Sequence, residues 1–294
     1  MIALIGHGLA SPLGPADIAA TALAAGLSRA DRIAHAPVLG AGEDADLAVG
    51  HAVLDGNSDH GERCRRLLEL AKAELGPASY DAVLLCTALA DPLRWGPDGP
   101  PELPADERFP LGHAAPAAAL LRADELITQR ICRRVLLMAV DSLLDPASLA
   151  WLAAHDRLRG PETPDGVAPG EAAVCWLLGP ADPASLAQIE SRYRTPATER
   201  CASSDAARWF EAAEGIPSGR DWVDITGEPW RYRAWGSLSQ QLQRHDIVVG
   251  SDGWGDLGAA TALAAGSLAI AAGERPTVVW SMSEDGSAGL IILR

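Results

Sequence analysis

The reactive side chains that first invite a chemical reading are His60 and Cys64, one helical turn apart. An imidazole and a thiol at that spacing can share a metal ion, but a second pair or a carboxylate at ligand spacing must complete the coordination. The sequence offers neither, so no metal site is expected. Gly6-His7-Gly8 follows a strand-like run yet lacks the third glycine and the βαβ context of a dinucleotide fingerprint. It reads as a turn, and no cofactor is implied. There is no Gly-x-Ser-x-Gly elbow and no phosphate loop. The five cysteines, Cys64, Cys86, Cys132, Cys175 and Cys201, form no Cys-x-x-Cys pair in a chain long enough to fold without covalent staples, and they read as buried thiols. His113, in Leu111-Gly-His-Ala-Ala-Pro116, opens an alanine-rich helical segment. It could accept an acyl group or act as a base there, but the helix dipole opposes its charge, which favours a capping or packing role.

The elements that must position these residues follow from periodicity. Strand-like runs at Ile2 to Ile5, Ala82 to Cys86, Val135 to Ala139 and Ala172 to Leu178 alternate with helical segments at Asp17 to Ala25, Glu62 to Leu75 and Ala115 to Gln129. Gly76-Pro77 stops the second helix. After the Pro/Gly-rich boundary at Gly179 to Pro183 the pattern restarts, with strands Ala187 to Ser191, Trp222 to Ile225, Ile247 to Val249, Thr277 to Ser281 and Gly289 to Leu293. Helices Asp205 to Gly215 and Gly258 to Ala272 lie between them. Each half closes with two adjacent strands, so the chain reads as a degenerate duplication of α/β class with halves 1–182 and 183–294. The Pro-rich stretch Asp91 to Pro110 and the polar Thr195 to Ser204 read as long loops outside this plan.

Composition narrows the function classes. A 294-residue chain with 48% hydrophobic content buries a sizeable core. The net charge of -15 opposes binding to nucleic acid. Apolar stretches such as Ala259 to Ala272 fall short of the ~20 residues of a membrane span. The opening residues lack the leader pattern of a signal peptide, so a cytoplasmic location is expected.

Four segments carry a resemblance to the β-ketoacyl synthases of the thiolase-like superfamily. Ile2-Ala-Leu-Ile-Gly-His-Gly-Leu-Ala-Ser-Pro-Leu-Gly14 resembles their first strand, glycine turn and Ser-Pro-Leu-Gly loop. Val135-Leu-Leu-Met-Ala-Val-Asp-Ser142, then Leu149 to Leu158 and Pro169-Gly-Glu-Ala-Ala-Val174, resembles their Val-Asp-Ser strand and Pro-Gly-Glu-Gly-Ala hairpin. Leu257-Gly-Ala-Ala-Thr-Ala-Leu263 is similar to the segment that carries the second catalytic histidine, and Ser281 to Leu293 to the closing strand, glycine loop and strand. The resemblance implies a thiolase-like fold, a duplicated αβαβα layering with two mixed five-stranded sheets, in a member shorter than a full ketosynthase.

Ketosynthase chemistry needs a thiolate at a helix N-terminus and two imidazoles. In this resemblance the nucleophile position holds His113, the first histidine position holds Thr226, and the second falls at Gly255 or Asp256. Glu284, Asp285 and Gly286 occupy the loop that is glycine-rich in the family and helps bind an oxyanion, and carboxylates there would repel the developing charge. The Cys-His-His set is therefore absent.

The chain has nine tryptophans against two phenylalanines, and Trp222, Trp230, Trp235 and Trp254 crowd its second half. Tryptophan suits interfaces and cores alike. Trp230, Arg231, Arg233 and Trp235 are read as the exposed part, a candidate interface, because interleaved arginines need solvent or a partner. The leading expectation is a non-catalytic protein partner or adaptor, a homodimer or a heterodimer with a ketosynthase-like subunit, paired through the sheet edge the family commonly uses. Such short proteins resemble two bacterial settings: auxiliary subunits of true ketosynthases and accessory proteins of type VI secretion effectors. The competing expectation is an acyltransferase or thioesterase with a rearranged site at His113, Thr226 and Asp256.

Overall fold

Alternation along the apolar runs decides which way each strand faces. In β6 (Val135–Ser142), Val135, Leu137 and Ala139 join one core cluster while Leu136, Met138 and Val140 join another, so both faces are covered. In β7 (Glu171–Pro180), Val174, Trp176 and Leu178 lie on the first face and Ala173 and Cys175 on the second. Strands buried on both sides need helices above and below them. The computed structural model describes residues 2–33, 49–56, 58–95, 102–160, 163–195 and 215–294, and shows how this is met.

The first half supplies β1 (Ile2–Ala10), β4 (Ala82–Cys86), β5 (Glu107–Phe109), β6 and β7. The second supplies β8 (Ala187–Arg194), β9 (Arg220–Val223), β10 (Ile247–Val249), β11 (Thr277–Met282) and β12 (Ala288–Leu293). A separate ribbon pairs β2 (Asp31–Arg32) with β3 (Val49–Gly50). The ten main strands run in the order β10-β9-β11-β12-β8-β1-β7-β6-β4-β5. Counted within each half, both sets have the order 3-2-4-5-1, with the fifth strand antiparallel to its neighbours. The expected two separate sheets are corrected in one respect. Ile2–Leu4 pairs with Ala187–Ile189, and this antiparallel contact makes the two five-stranded sets edge neighbours in a continuous sheet.

The halves of that sheet enclose two helices. Helix α4 (Ala115–Thr128) touches β4 and β6 on one side and β8 and β12 on the other, and α8 (Thr261–Ala271) touches β11 as well as β1 and β7. Helix α1 (Ala16–Ala24) packs beside α8. On the outside, α2 (His60–Leu75) covers β1, β6 and β7, while α6 (Pro229–Leu242) brings Trp235 and Leu238 against Val223, Val278 and Trp280. The short helices α3 (Pro92–Trp95), α5 (Pro146–Ala154) and α7 (Ser251–Trp254) complete the described set. This is the five-layer αβαβα arrangement. Helix α8 fits between two sheets because its side chains are small: a Cβ at Gly266 would stand 2.7 Å from the Trp176 ring.

Several expectations change. Gly6-His7-Gly8 is part of β1, which runs on to Ala10 past an irregularity between Leu4 and Gly6, and no turn forms there. Gly8 serves close packing instead, since a Cβ on it would lie 2.1 Å from the Ala71 carbonyl oxygen of α2. The stretch 91–110 holds α3 and the edge strand β5, with 96–101 outside the described residues. Helix 205–215 and the loop 195–204 fall almost wholly outside them, as does Cys201. Among the described residues, no helix is long and apolar enough to cross a membrane.

Trp176 is fully buried and its Nε1–H donates to Ser267 Oγ at 2.9 Å, so one side chain ties β7 to α8 across the central layer. Trp176→Ala is expected to lower the unfolding free energy by about 3–5 kcal/mol, read from urea denaturation.

Candidate functional site

Both central helices begin in the same way. A 3-10 turn at Gly112–Ala114 leads into α4, and a second at Gly258–Ala260 leads into α8. Gly112 and Gly258 both adopt positive φ, +60° and +53°, a conformation that only glycine takes without strain. At Gly258 the space is closed as well, because a Cβ would stand 2.1 Å from Asp141 Oδ2. The two turns touch, so the residues on and beside them, His113 and Asp256, meet in the middle of the molecule.

His113 is buried, and both of its ring nitrogens are occupied. Nε2 lies 2.8 Å from Asp256 Oδ1, and Nδ1 lies 3.2 Å from Arg231 Nη2. An arginine N–H can only donate, so in the neutral ring Nδ1 carries the lone pair and Nε2 the proton, which it donates to the carboxylate. Asp256 Oδ1 also accepts from the Gly258 N–H at 2.8 Å. Burial works against ionising Asp256, but the charge and hydrogen bond of His113, with Arg231 behind them, hold its carboxyl well below the usual range. On His113, burial and the Arg231 charge oppose protonation, and the Asp256 carboxylate with Glu284 outweighs them, so its pKa is raised.

Arg231 is 0% exposed. Its Nη1 donates to Asp224 Oδ2 at 2.9 Å and to the Met282 carbonyl, and Nε faces Glu228 Oε2 at 3.5 Å. Glu284 Oε1 is 3.8 Å from Nη2, and the guanidinium stacks 4.4 Å from the Trp230 ring centre. This corrects the reading of an exposed Trp230–Trp235 segment. The segment opens α6, an element not expected from sequence, and helical spacing turns Arg231, Ala234, Trp235 and Leu238 inward. Trp235 packs on Trp280 with ring centres 5.7 Å apart. Arg233 and Tyr232 remain exposed and Trp230 half-buried.

The acidic loop is also not the bare charge expected. Glu284 is exposed at the rim, yet its carboxylate receives Arg157 Nη2 at 3.0 Å, while Arg157 Nε donates to Glu228 at 2.7 Å. Burial of the carboxylate is overcome by Arg231, His113 and Arg157, which keep it ionised far down the pH scale, with solvent at the rim weakening the effect. Asp285 accepts the Ser287 N–H at 2.8 Å, closing the turn in which Gly286 takes φ +83°. Gly255 has a backbone role: at φ +73° a Cβ would lie 2.6 Å from the Ala168 oxygen. Thr226 is buried and lines a different cavity from His113.

His60 and Cys64 do come together, in a second polar cluster. Cys64 Sγ is 3.3 Å from His60 Nε2, and His60 Nδ1 is 3.1 Å from Asp145 Oδ2. Burial, followed by the Asp141 charge, pushes the thiol pKa well up, so the sulfur is an inert neutral group. Among the described residues, no group of three or more His, Cys, Asp and Glu side chains is placed to hold a metal.

The cavity beside His113 has a volume of only about 40 Å³, and Arg94, Asp141, Trp151 and Arg157 share its wall with Asp256 and Glu284. Arg94 donates to Asp141 at 3.3 Å and to Ser148 Oγ at 2.8 Å, which closes the side away from Arg231. Sequence reasoning missed Arg94, Arg157, Asp224 and Glu228. The one local signal was the spacing of Glu228 and Arg231 about the Pro229 helix start.

No family model matches the chain, and no curated protein matches it. Solved structures do. A type II polyketide ketosynthase determined with its acyl carrier protein superposes with a TM-score of 0.76 at 14% identity, over 100% of this chain and 98% of that one. The ishigamide ketosynthase/chain length factor gives 0.74 at 15%, covering 99% and 98%. The oxazolomycin ketosynthase domain of Streptomyces albus gives 0.70 at 14%, covering 100% and 74%. The chain has the ketosynthase-like, thiolase fold. In this ketosynthase-like protein the likeness is one of architecture, and the contents of the site are its own: a histidine, two arginines and carboxylates locked to one another.

Two consequences are measurable. Arg231→Met leaves Asp224 and His113 without their buried donor and is expected to destabilise the protein by about 3–5 kcal/mol in urea denaturation. Asp224 is raised to about 6, chiefly by burial and against the pull of Arg231. A carboxyl whose folded pKa exceeds its unfolded value favours folding when protonated, so its penalty grows as pH rises through that value. Wild type is expected to lose roughly 1–1.5 kcal/mol relative to Asp224→Asn between pH 5 and 7.5, measured by denaturation at each pH.

Proposed function

We propose that this chain is a non-catalytic ketosynthase-like scaffold that acts as a partner for another protein. One observation carries the reading: both nitrogens of His113 are engaged, by Asp256 and by Arg231, and among the described residues no cysteine, serine, threonine or lysine lines the cavity beside it. A nucleophile or base needs a free lone pair aimed at the substrate. A cavity of about 40 Å³ has room for water molecules and is small for an acyl thioester, which supports the same reading.

The halves 1–182 and 183–294 are the two units of the duplication in this proposal, and the shared strand order supports that division. A role beside a ketosynthase-like subunit is favoured over the other settings because solved neighbours include a ketosynthase/chain length factor and a ketosynthase with its carrier protein. Strand β5 has β4 on one side and, among the described residues, no strand on the other, and this edge is the one proposed to pair with a second chain. Exposed charges along it, such as Arg108, would set the register.

The test is incubation of the purified protein with pantetheine thioesters, read by thiol release and by intact mass. No release above the blank and no acyl adduct are expected. Turnover that His113→Ala abolishes overturns the proposal. In parallel, light scattering at micromolar concentration is expected to show a dimer, alone or with an added ketosynthase-type subunit, and a monomer in both cases counts against the partner role.

A further inference from the structure

The second half of the molecule contains a small cavity of about 10 Å³, bounded by the end of β9 and the residues that follow it, by α7, by the start of α8 and by β11. Four side chains on its wall carry a buried polar atom with no protein partner among the described residues: Asp224 Oδ1, Thr226 Oγ1, Trp254 Nε1 and Thr261 Oγ1. None of the four residues is more than 8% exposed. An unpaired buried polar atom costs about 1–3 kcal/mol, so four lining one small space are not tolerated without a shared partner.

We infer that this cavity is a binding site for one structural water molecule held by Asp224, Thr226, Trp254 and Thr261. The valences decide the ligand. The indole N–H only donates, an ionised carboxylate oxygen only accepts, and each hydroxyl does both. A water molecule has two protons and two lone pairs, so it donates to Asp224 and one threonine while accepting from Trp254 and the other. A cation would find the indole N–H directed at it, and an anion would meet Asp224. The volume is near the minimum for one water and leaves no room for a larger guest. Asp224 links this site to the buried charge cluster, since its other oxygen accepts from Arg231 and from the Met282 N–H. Thr226, at the position where the resemblance places the first catalytic histidine, acquires a role here as a hydroxyl that closes a hydrogen-bonded shell.

A crystal structure of the wild-type protein that resolves ordered solvent decides the matter. A single density peak within about 3.2 Å of at least three of the four atoms is expected. A dry cavity, or hydroxyls rotated to bond protein oxygens instead, overturns the inference. In solution, the Trp254 indole proton, assigned by Trp254→Phe, is expected to show a cross-relaxation peak to a long-lived water. That peak should be lost in Thr226→Val and kept in Thr261→Ser, which preserves the hydroxyl. Its absence from wild type overturns the inference as well, whatever the variants do.

Discussion

The constraint on which the centre of this protein depends is the burial of Arg231. A guanidinium out of reach of water must be neutralised and its donors filled, or the fold loses several kcal/mol. Arg231 gathers Asp224 from the end of a strand, Glu228 from its own helix start, Glu284 from the last hairpin loop and His113 from the turn before α4. His113 in turn fixes Asp256 ahead of α8. Five chain segments are thereby brought to one charge.

The duplicated fold explains why those segments converge. Each half delivers a central helix through a positive-φ glycine turn, and the two turns meet where the halves face each other. In a catalytic member of such a fold this meeting point must leave space and a free lone pair. Here that geometry holds side chains that hydrogen-bond to each other, beside a cavity of about 40 Å³. Arg94 and Asp141 do on the first-half side what Arg231 and Asp224 do on the second.

Packing and polar order support one another in this arrangement. The small residues of α8 let the sheets approach, Trp176 and Ser267 fix the helix against β7, and the tryptophans that pair with one another, Trp222 with Trp254 and Trp235 with Trp280, fill both faces of the second set of strands. Beneath α2, the buried Arg63 makes two 2.8 Å bonds to Glu171, whose oxygens also receive the Val53 and Leu54 N–H groups and Ser142. The buried arginines Arg63 and Arg231 are thus each paired with carboxylates, a pattern that fixes one arrangement of the elements.

Much of the fold was legible along the chain. Runs such as Val135 to Ala139 and Thr277 to Ser281 specify strands because period-2 and period-3.6 patterns are local properties of covalent geometry. The restart after residue 180 is matched by the strand order that the two halves share, whereas the roles of positions 113 and 226 were read only through the family resemblance. Other features were decided only in three dimensions. The edge pairing of β1 with β8, the inward turn of Arg231, and the neutralisation of Glu284 by Arg157 all depend on partners from about 50 to more than 180 residues away. An arginine reads as a surface residue until its carboxylates are known, because its burial energy is set by those partners and not by its own side chain. The sequence by itself determined the layered scaffold, because strand and helix periodicities are written locally along the chain. Tertiary structure decided that the meeting point of the two central turns holds a hydrogen-bonded charge network, since distant charges select one another only after folding brings them within hydrogen-bond range.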